Sequence, residues 1–259
     1  MGVSSLSDQS RQWTAALIVI GDEILSGRTE DKNVARLATW LNEQGIRLAE
    51  VRIVPDDSGR IGEAVNALRG VHDYLFTTGG IGPTHDDITI DAIAAALGVA
   101  VVVHPEARRI LEDYYQSRSI ELTQARLRMA RVPEGAELIA NASSGAPGVK
   151  WGNIYILAGV PHIAASMMEA LTGKLEGGRP VVSVTVGARV AESEVADLLS
   201  RLEQAHSGVA IGSYPFVRDG GFGANFVVRS EDGVLADACA AALAAELRDR
   251  GVEPVAGGI

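Results

Sequence analysis

Cysteine is almost absent from this chain: Cys239 is the single thiol in 259 residues. That excludes an internal disulfide and a cysteine-ligated zinc cluster. Cys239 lies in Ala238-Cys239-Ala240-Ala241-Ala242-Leu243, a helical apolar run, and reads as a buried structural thiol. Aromatic residues make up only 5%, while alanine, valine and glycine abound. This balance fits an α/β protein better than an all-β one. Positive charge is also in deficit, with 23 Lys and Arg against 33 Asp and Glu, a net charge of −10. No broad footprint for nucleic acid or anionic membrane follows from it. No run reaches the ~20 apolar residues that a bilayer span needs. Residues 1–13 lack the apolar core of a signal peptide and read as a frayed tail, so the cytoplasm is the expected compartment. Walker A, G-x-S-x-G, H-E-x-x-H and G-x-G-x-x-G are all missing.

What is present is 47% apolar residues arranged in alternating periods. Residues 15–20 form an unbroken apolar run of the buried parallel-strand type. Residues 33–44 have helical spacing, with Val34, Leu37, Ala38 and Leu41 on one face and Gly45 as a stop. Strands are expected at 48–54, 74–78, 100–103, 137–140 and 154–157. Helices are expected at 58–69, 88–97, 105–117, 121–131 and 161–171. The alternation predicts a doubly wound, mostly parallel sheet. Residues 175–180 look like a linker. Beyond them the order becomes β-α-β-β-α: strands at 181–186, 209–214 and 225–229, with helices at 192–204 and 234–248. A turn at 218–221 joins the last two strands, and 254–259 reads as a loose tail. The expected domains are 14–174, and a small α+β domain at 181–250.

Four loops follow strands or open helices, where doubly wound sheets place ligands. The most informative is Thr77-Thr78-Gly79-Gly80-Ile81-Gly82-Pro83-Thr84-His85-Asp86-Asp87. Three glycines and a helix N-terminus leave amides for a phosphate. A tight turn capped by Thr84 or Asp86 explains one glycine and one polar residue, not all of them. Asp86 and Asp87 repel phosphate unless a cation intervenes or they act as acid or base. Gly21-Asp22-Glu23-Ile24-Leu25-Ser26-Gly27 offers Asp22 and Glu23 as oxygen ligands for a divalent cation; a capped turn explains them equally well. In Pro55-Asp56-Asp57-Ser58, Asp57 or Ser58 suits a helix N-cap. Finally, Gly145-Ala146-Pro147-Gly148 and Gly159-Val160-Pro161 could each present amides to an anion. The pair Met167-Met168 reads as core or helix surface.

These residues carry a resemblance. Thr78-Gly79-Gly80-x-Gly82-Pro83 ending in Asp87, with Thr89 and Asp91, resembles the MoaB/Mog-like molybdopterin-binding domain family of molybdenum-cofactor biosynthesis. Gly21-Asp22-Glu23-Ile24-Leu25-x-Gly27, Asn33 and the two later glycine motifs are similar to the amino-terminal domain of the CinA branch. Ile211-Gly212-Ser213-Tyr214-Pro215 resembles the segment that follows this domain in eukaryotic FAD synthases. The resemblance spans roughly residues 14–171. It implies either a metal-dependent hydrolase of a nucleotide pyrophosphate, such as ADP-ribose or FAD, or a protein that binds or adenylylates molybdopterin; a non-catalytic nucleotide-binding module is a third possibility. In the hydrolase reading, Gly79, Gly80 and Gly82 cradle one phosphate, with Thr78, Gly159 and Pro161 beside it. Gly145 and Gly148 hold the other end of the ligand. Asp86 and Asp87, with Asp22 or Glu23, hold Mg²⁺ or Co²⁺, and Asp56 orients or activates a water. The adenylylating branch matches aspartates at Asp87 and at Asp56 or Asp57. The expected partner is a phosphorylated small molecule, a dinucleotide or a pterin, with no nucleic acid and no membrane. A homo-oligomer is expected because the family often forms them.

Overall fold

A computed structural model describes residues 11–218 and 220–259 of the chain. It divides into two compact units, Met1–Gly178 and Arg179–Ile259. The expected tail in residues 1–10 and position 219 of the expected turn lie outside the described residues. The rest of that tail is not frayed. Arg11 pairs with Asp73 and stacks on Trp13, which already begins a strand.

In chain order, the first unit holds β1 (Trp13–Ile20), α1 (Asp22–Leu25), α2 (Asn33–Glu43), β2 (Ile46–Val54), α3 (Ser58–Leu68), β3 (Tyr74–Thr78), α4 (Thr89–Leu97), β4 (Val101–Val103), α5 (Pro105–Gln116), α6 (Gln124–Leu127), β5 (Arg131–Pro133), β6 (Glu137–Ile139), β7 (Gly148–Trp151), β8 (Ile154–Leu157) and α7 (Pro161–Glu169). Its main sheet runs in the order β2-β1-β3-β8-β7-β6. The first four strands are mutually parallel, and β7 and β6 are antiparallel additions.

Residues 15–20 of β1 are all buried because helices cover both faces of the sheet. Ala15, Leu17 and Val19 meet the cluster that includes Leu37 and Leu41 of α2 and Met167 of α7. Ala16, Ile18 and Ile20 meet the cluster that includes Ile61 and Val65 of α3 and Ile93 of α4. The chain reverses direction across the sheet between β1 and β3, with β2 outside β1 and β8 outside β3. The carboxyl ends of these strands therefore open the crevice that such sheets use for ligands.

Three expectations in this unit need correction. The strand at 101–103 leaves the main sheet and pairs with β5. Its valines are half-buried to exposed, so it was never suited to a core position. The helix at 121–131 shrinks to the single turn α6, capped by the Thr123 side chain, then a 3₁₀ turn at Arg128–Ala130 and the strand β5. Residues 148–151, absent from the sequence reading as a strand, form β7 and return to β8 through a tight turn at Gly152, φ 57°.

The second unit holds β9 (Val182–Ala188), α8 (Glu192–Ala205), β10 (Ala210–Arg218), β11 (Gly221–Ser230), α9 (Gly233–Asp249) and β12 (Pro254–Ala256). Its sheet is antiparallel, in the order β10-β11-β9-β12. Residues 254–256 are thus an edge strand paired with β9, not a loose tail. Leu198 and Leu202 of α8 and Cys239, Leu243 and Leu247 of α9 cover Phe226 and Val228. Cys239 is fully buried, and burial pushes its thiol up. No described helix is long and apolar enough to cross a membrane.

Candidate functional site

The four loops predicted from sequence all leave the carboxyl ends of β1, β2, β3 and β8 or the neighbouring hairpin strand. Gly79 and Gly80 have φ of 104° and 65°, where an L-residue is strained. A Cβ on Gly79 would stand 2.1 Å from the Ile20 carbonyl oxygen. One on Gly80 would stand 2.2 Å from the Thr89 hydroxyl, which donates to the Gly79 carbonyl at 2.9 Å. Glycine is needed here because β1, the turn and α4 meet backbone to backbone. A Cβ on Gly159 would also come within 3.1 Å of Gly79 Cα. Asn33, the first residue of α2, donates to the Gly159 carbonyl at 2.7 Å and ties that turn down. Among the described residues, the amides of Gly80 and Ile81 find no partner.

Asp87 closes the glycine turn. Its Oδ1 accepts from the Gly82 amide at 2.7 Å, and its Oδ2 from the Thr84 amide at 2.7 Å and the Thr84 hydroxyl at 2.5 Å. Arg128 donates to the Asp87 carbonyl at 3.3 Å from the other side. Asp57 is the N-cap of α3 and accepts from the Arg60 amide at 2.9 Å. Asp56 instead crosses to the first loop, where its Oδ2 accepts from the Asp22 amide at 3.0 Å. Burial holds the Asp56 carboxyl above its ordinary range; the Asp22 amide opposes this, and the charges of Glu23, Asp22 and Asp86 raise it further. Asp86 is exposed, and the Thr84 hydroxyl holds its carboxyl below the ordinary range.

A cavity of about 540 Å³ opens beside the glycine turn, within the usual range for small ligands. Of the residues predicted for the site, Gly79, Gly80, Gly82, Gly159, Glu23 and Asp87 line it. Thr78, Pro161, Asp22, Asp56 and Asp86 stand behind or beside that wall. Thr78 is buried in β3, and Pro161 starts α7. The loop at 141–148 contributes Ser144, Ala146 and Pro147 to the wall, not its glycines. Gly145, φ 77°, packs against the Tyr114 ring, and Gly148 packs on Met167. Met167 belongs to the core, one of the two places its sequence allowed, and also reaches the cavity.

The far wall was missed by the sequence reading. It consists of Tyr114, Tyr115, Arg118, Ile120 and Met129 from the segment after β4. Tyr114 and Tyr115 meet edge to face at 5.4 Å, and the Arg118 guanidinium lies 3.7 Å from the Tyr114 ring centre. The one available signal was the helical spacing of Tyr114 and Arg118, which an ordinary surface helix shares.

A divalent cation was expected on Asp22, Glu23, Asp86 and Asp87. Carboxylate oxygens are the right donors for Mg²⁺. Yet among the described residues no three His, Cys, Asp or Glu side chains gather so as to hold a metal ion. Asp87 spends both oxygens on the turn. The side chains as they stand therefore do not form a metal site.

Comparison with known proteins agrees with this architecture. Residues 16–177 match the family described as a probable molybdopterin binding domain, and residues 180–256 match the middle domain of FAD synthase. A protein of Aeropyrum pernix is 34% identical over 221 residues, 81% of each chain. A CinA-like protein of Geobacter sulfurreducens is 36% identical over 208 residues, covering 76% of this chain and 50% of its own length. The crystal structure of the protein CinA, of unknown function, from Thermoplasma acidophilum matches with TM-score 0.58 and 30% identity. That match covers 63% of this chain and 98% of the other.

Proposed function

We propose, from the premise that this chain belongs to the molybdopterin-binding domain family, that its first unit binds a ring-bearing phosphorylated ligand in the cavity and hydrolyses its diphosphate. The observation that carries this reading is the juxtaposition of the Gly79–Gly82 turn with an aromatic wall inside one cavity, and of the half-buried Asp56 carboxylate beside it. The free amides of Gly80 and Ile81 receive one phosphate. Tyr114, Tyr115, Ile120 and Met129 supply apolar surface for a ring. Asp56 keeps Oδ1 without a hydrogen-bond partner among the described residues, and its raised affinity for protons suits a general base. A water then attacks phosphorus, its proton passes to Asp56, and the bridging P–O bond breaks to leave two phosphate monoesters.

The test is turnover of ADP-ribose and FAD by purified protein, with EDTA and with added Mg²⁺ or Co²⁺, read as AMP release. No release in any condition, beside a positive control that turns over, overturns the hydrolase reading. A second reading keeps the same cavity but only binds a pterin phosphate; the family match favours it. Retention of an oxidisable, fluorescent pterin after purification from a molybdopterin-producing host supports it, and its absence there counts against it.

A further inference from the structure

Arg118 lines the cavity, and among the described residues it is the one cationic side chain that does so; the carboxylates that line it, Glu23 and Asp87, stand on the side of the glycine turn. Several arginines of this acidic chain pair with a carboxylate. On α5, which ends just before Arg118, Arg108 pairs with Glu112, and Arg109 with Glu106 and Asp113. Elsewhere in this unit Arg60 pairs with Glu63, and Arg131 with Asp91. Among the described residues Arg118 has no carboxylate. Its Nη1 reaches the Tyr114 carbonyl at 3.2 Å and the Ser117 hydroxyl at 3.3 Å, and its plane lies on Tyr114.

The backbone fixes this placement. The Ser119 amide donates to the Gln116 carbonyl at 3.0 Å, and the Ile120 amide to the Tyr115 carbonyl at 3.0 Å. These two bonds define a Schellman closure of α5, with Ser119 in the left-handed position at φ 54°. The closure places Arg118 just past the end of α5 and brings Ile120 back to the cavity wall beside Tyr115. Tyr114 is held from a second side by Gly145, whose missing Cβ would stand 2.4 Å from the ring. A guanidinium stacked on a held ring keeps its remaining N–H groups for an anion and presents them in a planar fork.

We infer that Arg118 is the residue that makes this site prefer a ligand with a second anionic group, the distal phosphate of a diphosphate, over a monophosphate. The inference rests on the reading that the Gly79–Gly82 turn holds the first phosphate. Arg118 grips the next one from the opposite wall, and Tyr114 orients the grip.

Calorimetric binding of AMP and of α,β-methylene-ADP, which shares its ring and first phosphate but resists cleavage, tests this. The wild-type protein binds the methylene diphosphate more tightly than AMP. Arg118→Gln, which keeps a flat side chain over Tyr114 but no charge, loses roughly ten- to a hundredfold in affinity for the diphosphate. Its AMP affinity moves by less than about threefold, since the first phosphate keeps its amides. Arg118→Lys recovers part of the loss, and unfolding temperatures of both variants match the wild type. Equal losses for both ligands, or no loss for either, overturn the role of Arg118 while leaving the phosphate site standing. Failure of the wild-type protein to bind either ligand overturns the phosphate reading itself, and this inference with it.

Discussion

Asp87→Asn is the substitution that separates building the site from performing chemistry in it. Asp87 accepts three hydrogen bonds, from the Gly82 amide, the Thr84 amide and the Thr84 hydroxyl. Asparagine has one acceptor oxygen. Whichever way the amide turns, its NH₂ faces a backbone N–H that then has no partner. Hydrogen bonds to a charged acceptor contribute about 1.5–3 kcal/mol each. Asp87 is only half-buried, so a loss near the lower part of that range, about 2 kcal/mol, is expected for the turn. For a unit of this size that corresponds to a fall in Tm of roughly 4–8 °C. The freed turn no longer presents Gly80 and Ile81, and the Kd for a phosphate ligand rises about tenfold or more. Asp86→Asn is the control: its carboxylate is exposed and meets the Thr84 hydroxyl and its own amide, not the Gly82 or Thr84 amide, so Tm falls much less than in Asp87→Asn. The measurements are thermal unfolding and calorimetric binding of AMP. If Asp87→Asn keeps Tm within about a degree, well short of that expected fall, and the ligand affinity unchanged, Asp87 is not the clasp of the turn and the reasoning fails.

Other outcomes follow from the same geometry. Because Asp56 is raised, its ionised form weakens the folded state above its folded pKa, and that penalty disappears as pH falls through it. Asp56→Asn should therefore raise Tm at pH 7, with the gain shrinking towards pH about 4, and should abolish diphosphate cleavage. In the wild type, the acid limb of kcat/KM should lie above the ordinary aspartate range; a limb at or below that range refutes Asp56 as the base. Gly145→Ala forces a Cβ to within 2.4 Å of the Tyr114 ring at φ 77°. A loss of about 1–3 kcal/mol is expected, seen in thermal unfolding, together with weaker binding of ring-bearing ligands. Ser119→Gly relieves a left-handed serine and should stabilise the protein by about 0.5–1 kcal/mol in denaturant unfolding; destabilisation would contradict the assigned closure.

Much of the fold is written in local pattern. The continuous apolar run of β1 and the 3.6-residue spacing of α2 and α3 report burial on two faces and on one, and each formed where its pattern lay. The errors share one cause. Residues 101–103 are apolar and β-branched, yet a three-residue strand takes its place from whichever partner is near, and that partner was β5, which begins at the last residue of an expected helix. The edge strand β12 likewise exists only because β9 offers it an edge.

The site divides in the same way. Sequence alone determined the glycine turn after β3, because φ values of 104° and 65° at Gly79 and Gly80 admit almost no other residue. It also determined that aspartates stand beside that turn. Only the tertiary structure decided what each aspartate does. Asp56 and Asp57 are adjacent in sequence, yet one caps α3 and the other crosses to the Asp22 amide. Nor did any local pattern single out Tyr114 and Arg118. Their spacing is that of any solvated helix, and they become a binding wall only because the segment after β4 is laid across the carboxyl ends of β1 and β3. Backbone strain is a local property and can be read from residue types. Proximity between distant segments is set by the packing of the whole sheet.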